Sequence, residues 1–200
     1  MRPFLWSLVI TIVFLISFQG LINLSSQKKN VKQTLQVHKT LYLERGITNN
    51  QELHILQASL EWFDATNGDV IFDIQRLPAE NIEPSKSILF LTVNPDFPEA
   101  MLYDHFNKKS TLGYFHDEGY IPYIGLIDSR IDSKNYTQVI LHELGHALGL
   151  DHINGIEGID TLMYHSLEFG NRHITVTDLK YFCMKYHCDA GKYHGFPEIQ

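Results

Sequence analysis

The stretch HELGHALGLDH, His142 to His152, places three histidines four and six residues apart, with Glu143 directly after the first. On a helix, positions i and i+4 lie about 40° apart around the axis and one turn apart along it. His142 and His146 therefore present two imidazoles side by side, a bite for a single metal ion. Gly149, with Leu150 after it, can end the helix in a left-handed conformation. The chain then turns back, and His152 approaches the same ion from outside the helix. Three neutral imidazoles leave the fourth tetrahedral position of Zn²⁺ open for water, the arrangement of a catalytic rather than a structural site. Glu143, beside the first ligand, can reach that water as general base. Zinc lowers the water's pKa to about 7, so a carboxylate suffices to complete the deprotonation.

The elements that must hold these residues can be read from the periodicity. NYTQVILHELGHALGL is apolar almost all round, with Val139, Ile140, Leu141, Leu144, Ala147, Leu148 and Leu150. Such a helix is buried, so His142, Glu143 and His146 need partners there. Upstream, Thr48 and Gln51 have capping-box spacing, and Leu53, Leu56, Leu60 and Phe63 follow at helical intervals. With Asn67-Gly68 as the stop, residues 49–66 are expected to form an amphipathic helix packed on the core through those residues. DVIFDIQRL (69–77), SILFLTV (87–93), LGYF (112–115) and YIGLIDSRI (123–131) read as strands. Residues 94–111, with Pro95 and Pro98, read as irregular. A helix, several strands and a helix from about Tyr136 give a mixed α/β (α+β) domain.

The rest of the chain bounds the function without naming it. The 200 residues are 44% hydrophobic with a formal charge of −7. That acidic balance argues against nucleic acid as a partner. Pro3 to Leu24 carries no formal charge and follows Met1-Arg2. It reads as a signal peptide or as an uncleaved membrane anchor. Since Ser17, Gly20 and Ser25 do not combine into a cleavage site, export with a retained anchor is the expectation. The divisions are then 1–24 anchor or signal peptide, 25–44 linker, 45–190 catalytic domain and 191–200 tail. Cys183 and Cys188, five apart, would point apart on a continuous helix; a disulfide requires the helix to end between them, and two reduced thiols are the other reading. Asn135-Tyr136-Thr137 matches a glycosylation sequon, but a helix cap at Asn135 is the simpler reading. A monomer is expected.

HExxHxxGxxH, as it stands from His142 to His152, resembles the signature of the metzincin metalloproteases. Met163, eleven residues after His152 in DTLMYH, supplies the turn methionine that this resemblance requires beneath the zinc. Tyr164 directly follows it, and with GLDH and ITVTDLKYF this looks like the matrixin branch. The resemblance spans roughly residues 45–190 and is specific over 142–163. It implies a metzincin-like zincin fold: a mixed twisted sheet, two long helices above a Met-turn, and a C-terminal helix. It also implies a cleft in which an extended peptide pairs with an edge strand. LGYFHDEGYIPYI (112–124), with Tyr114, is the candidate edge, its Gly119 and Pro122 suiting such a strand. Gln138, one turn before His142, is a candidate wall of the specificity pocket, and the loop from His165 to His173 another, with His165 beside the site. No cysteine-switch motif precedes the domain, so latency by that route is not expected. His116 and Asp117 are the one trace of a loop that would hold a second zinc or calcium, and read better as surface residues. The expected function is a zinc-dependent endopeptidase acting on peptide or protein substrates. Its alternative is a non-catalytic, zinc-stabilised binding module of the cell envelope.

Overall fold

Thr48 opens the first helix. Its hydroxyl accepts from the Gln51 amide at 3.3 Å while the Gln51 carboxamide accepts from the Thr48 amide at 2.8 Å, the reciprocal cap expected from their spacing. Helix α1 then runs Asn49–Ala65. Asn67 and Gly68 both take left-handed conformations, φ 51° and 82°, and end it. In the computed structural model the described residues are 35–77, 85, 87–93, 111–117, 122–166 and 172–195. The expected anchor Pro3–Leu24, the linker as far as Thr34, the irregular stretch 94–110, Gly119, residues 167–171 of the loop after His165, and the tail 196–200 lie outside them. Among the described residues no helix is long and apolar enough to cross a membrane.

Five strands form one mixed sheet: β1 (Val37–Leu43), β2 (Val70–Arg76), β3 (Ile88–Thr92), β4 (Gly113–His116) and β5 (Tyr123–Leu126). Their order is β2-β1-β3-β5-β4. The first four are parallel neighbours, and β4 pairs antiparallel with β5 as the last strand, Tyr114 opposite Gly125. Helix α2 (Tyr136–Ala147) packs on β4, β5 and α1, and α1 also packs on β2. Helix α3 (Val176–Tyr186) closes the described chain with a short turn at Ala190–Lys192. This is the α/β arrangement expected; of the candidate edge segment 112–124, Gly113–His116 form the edge strand β4, whereas Tyr123 and Ile124 after Pro122 belong to the interior strand β5.

Several expectations need correction. The stretch assigned to a linker through residue 44 contains β1, an interior strand whose Leu41 and Leu43 are fully buried. The tail beginning at 191 also belongs to the fold: Tyr193 is buried, its hydroxyl donates to Asp69 at 2.7 Å, and the His194 amide donates to the Ala65 carbonyl. The folded unit therefore extends beyond 45–190 at both ends.

The second correction concerns the face of α1. Leu53, Leu56, Leu60 and Phe63 do not meet the core; Leu53 and Leu60 are each 58% exposed. The buried row is Ile55, Ala58, Ser59, Trp62 and Ala65. Both rows have helical spacing, so periodicity alone does not choose between them. Trp62 decides: it is the largest apolar side chain on the helix, buries on the order of 150–250 Å², and donates its indole N–H to the Leu141 carbonyl of α2 at 3.1 Å. Ala58, small and fully buried on the same row, adds no bulk to that face.

The third is the strand read over 123–131. It stops at Leu126, because Ile127 leaves the extended region at ψ 76° and Asp128–Arg130 form a 3₁₀ turn. Asp128 there accepts from Gln51 of α1 at 2.8 Å, tying the turn to the helix. Asn135 occupies the position before α2 without a side-chain capping bond; Asp132 caps the preceding 3₁₀ turn, Ser133–Asn135, by accepting from the Lys134 amide. The condition for the Cys183–Cys188 bridge is met. Helix α3 ends at Tyr186, His187 is left-handed at φ 55°, and the two sulfurs are bonded at 2.17 Å.

Candidate metal centre

The end of α2 positions two of the three histidines. Gly149 takes φ 80°, its amide donates to His146 O at 2.7 Å, and the Leu150 amide donates to Gly145 O at 3.0 Å. This pair of bonds is the Schellman termination that glycine favours. It also turns the Leu150 carbonyl toward the His146 ring, whose Nδ1 lies 2.7 Å away. His142 Nδ1 lies 2.8 Å from the Leu162 carbonyl. Each Nδ1–H thus donates to a backbone carbonyl, which leaves the Nε2 lone pairs of His142 and His146 aimed away from the helix. The Nε2 atom of His152 meets them, 3.1 Å from that of His142 and 3.2 Å from that of His146. A tetrahedral zinc with bonds of about 2.0–2.1 Å sets its ligand nitrogens roughly 3.3 Å apart. The three imidazoles fit that ion, and among the described residues they are the one such cluster.

Their electrostatics suit a cation too. Burial, reinforced by the neighbouring His146, holds His142 down to about 3 and His152 down to about 4; burial likewise lowers His146. All three rings are therefore neutral ligands at neutral pH. Glu143 is buried, and burial pushes its carboxyl up to about 8. Its Oε2 has no hydrogen-bond partner among the described residues. A dication on the adjacent histidines would pull that value down and leave a carboxylate beside the ion.

These shifts set a pH optimum for the metal-free protein. Below the ordinary histidine value of 6.5, the unfolded chain takes up protons that the folded site refuses, so stability falls with acid. Between 4.5 and about 8 the unfolded chain ionises Glu143 while the folded one keeps its proton, so stability falls as pH rises. Three histidines outweigh one glutamate below 6.5. Urea midpoints measured in chelator should peak near pH 6.5; a steady rise to pH 8.5 would contradict the burial of Glu143.

Beneath the histidines lies the turn at Met163. Met163 is fully buried, and any Cβ on Gly145 would overlap its sulfur. The glycine within HELGH is thus what lets the turn approach the helix. The Met163 carbonyl accepts from the Ile153 amide at 3.0 Å, closing the loop that follows His152. Asp178, fully buried at the start of α3, holds the turn from the other side. Its carboxylate accepts from the amides of Leu162 (3.0 Å), Met163 (3.1 Å) and Thr175 (2.8 Å) and from the Thr175 hydroxyl (2.7 Å). The Leu162–Met163 peptide therefore carries His142 on its carbonyl and Asp178 on its N–H. Sequence reasoning missed Asp178, although Thr175 and Asp178 have the spacing of a capping box.

The remaining candidates fall around this centre. Tyr164 stacks on His165 with ring centroids 4.3 Å apart, and the exposed His165 lies 6.3 Å from the His152 ring. Gln138 is buried one turn before His142. Tyr114 is buried as well; its ring lies against Gly125, edge-on to Tyr123, and burial raises its hydroxyl. His116 packs on the Tyr123 ring. Gly113, not singled out from the sequence, lies directly against Glu143.

Three imidazoles that could hold one metal ion, beside a buried glutamate at the end of α2, are the centre of a zinc metallopeptidase, as the family match shows. The family model for matrixins (peptidase family M10) matches residues 48–186, and the chain belongs to that family. Among solved structures, archaemetzincin from Methanopyrus kandleri is 14% identical with a TM-score of 0.49, covering 76% of this chain and 97% of its own. A structure of myroilysin is 12% identical with a TM-score of 0.45, covering 76% and 93%. A search of curated proteins finds no matching sequence.

Proposed function

We propose that the protein is a zinc-dependent endopeptidase in which Glu143 is the general base. One observation carries the reading: three neutral imidazoles converge at zinc-ligand separations beside a buried carboxylate with a free oxygen. Zinc held there supplies Lewis acidity, polarising a carbonyl and lowering the pKa of water. His142, His146 and His152 hold the ion, the first two oriented through the carbonyls of Leu162 and Leu150. Glu143 takes the proton from the attacking water and passes it to the leaving nitrogen, which needs its oxygen within about 2.6–3.2 Å of each. Met163 and Tyr164 give the site its floor. An extended substrate pairs with the edge of β4, and the exposed His165 is a contact at the rim; the buried Tyr114 and Gln138 support the walls from behind.

The apolar run Pro3–Leu24 supports an exported protein held at a membrane, and the Cys183–Cys188 bridge suits an oxidising compartment. Incubating the purified full chain with a diverse peptide library tests the activity. Internal cleavage read by mass spectrometry, abolished by chelator and restored by zinc, is the expected result. One zinc per chain with no cleavage of any peptide would refute the reading and favour a zinc-stabilised binding module.

A further inference from the structure

Gly113 sits in β4 facing α2, and its missing side chain has no backbone explanation, since the left-handed glycines among the described residues are Gly68, Gly149 and Gly155. A glycine inside a strand weakens it and marks close approach by something else. Here that something is Glu143. A Cβ on Gly113 would lie 2.9 Å from Glu143 Oε1, 3.0 Å from Glu143 Cγ and 3.0 Å from Val139 Cγ1. Carbon contacts are comfortable only at about 3.5–4.0 Å.

We infer that Gly113 is a positioning residue: the absence of a side chain on β4 leaves the space in which the Glu143 carboxylate lies. The inference rests on the reading of Glu143 as general base. The atoms that an added methyl would meet are the Oε1 end and the Cγ of the Glu143 arm and one methyl of the buried Val139. Both can give way by a few tenths of an ångström, and the backbone is open to alanine. The fold therefore absorbs the change easily, and the carboxylate moves. A base that works only within hydrogen-bond reach is sensitive to such movement; a 1 Å misplacement costs about 100-fold, and a few tenths of an ångström correspondingly less, about 3- to 10-fold.

The experiment compares the full chain, Gly113→Ala, Glu143→Ala and the double variant for zinc content, urea midpoint, kcat and KM, together with crystal structures of wild type and Gly113→Ala. For Gly113→Ala we expect one zinc per chain, an unchanged midpoint, a KM within about twofold and a kcat about 3- to 10-fold lower. In the Glu143→Ala background the same substitution should change the residual rate less than twofold, because its target is gone. Equal losses in both backgrounds, an unchanged kcat, or a variant that unfolds or sheds zinc would each overturn the inference. Should the wild type cleave nothing, the protease reading fails by itself. The crystal structures then still decide about Gly113: a displaced carboxylate upholds its spatial role, and an unmoved one ends it.

Discussion

Replacing Glu143 by alanine is expected to lower turnover about 10²- to 10⁴-fold, with one zinc per chain retained and stability unchanged or improved. The three parts of this expectation have separate causes. Proton transfer loses its carrier, since Glu143 is the buried carboxylate directly after the first ligand, whereas Asp151 beside His152 is exposed. Metal binding survives because the ligand nitrogens are oriented by the carbonyls of Leu162 and Leu150, not by Glu143. Stability does not suffer because the carboxyl is buried, raised to about 8 by that burial, and has an oxygen without a partner. Removing such a group relieves a desolvation cost while opening only a small cavity. Peptide turnover, zinc content and thermal midpoint measured on one preparation check all three. Turnover within tenfold of wild type would remove Glu143 from the chemistry, and loss of zinc would make it a structural member of the site.

Asp178→Ala should do the opposite, damaging the fold first and the metal site through it. Three backbone amides and one hydroxyl lose their acceptor in a buried place. Each orphaned donor costs about 1–3 kcal/mol, some of it recovered by water or relaxation, so a total of about 3–5 kcal/mol is expected in urea unfolding. Because the Leu162–Met163 peptide links Asp178 to His142, zinc affinity should fall as well, on the order of 10- to 100-fold, as when other orienting partners of metal ligands are removed. Asp178→Asn keeps an acceptor on one side and should lie between. A stability loss below about 1 kcal/mol for the alanine variant would show that the turn at Met163 is held by packing alone.

The centre was legible in the sequence because its signals are local. The spacing of His142, His146 and His152, the glycine that ends α2 and the cap at Thr48 are all fixed within a few residues of chain, and the structure places each as expected. What escaped is long-range. Asp178 carries a cap signal that is local, but its grip on Met163 exists only once α3 has docked. Gly113 and Gly145 look like ordinary glycines until the Glu143 carboxylate and the Met163 sulfur arrive beside them. On α1 two stripes share one period, and the choice between Leu60 and Trp62 is made by the Leu141 carbonyl on another helix. β1 was lost for a related reason. Its alternation of Leu41 and Leu43 is short, and both neighbours that make it an interior strand come later in the chain.

That last feature bears on how the protein is made. β1 leaves the ribosome before either of its partners exists: Val37 waits for Val70, 33 residues on, and Thr40 for Ile88, 48 residues on. Parallel pairing over such separations pays its loop-closure entropy before any contact rewards it, which slows folding. Until residue 76 has emerged, a strand destined for the middle of the sheet has both edges open, and one of them stays open until residue 92; an open strand edge in a half-made chain is where aggregation begins.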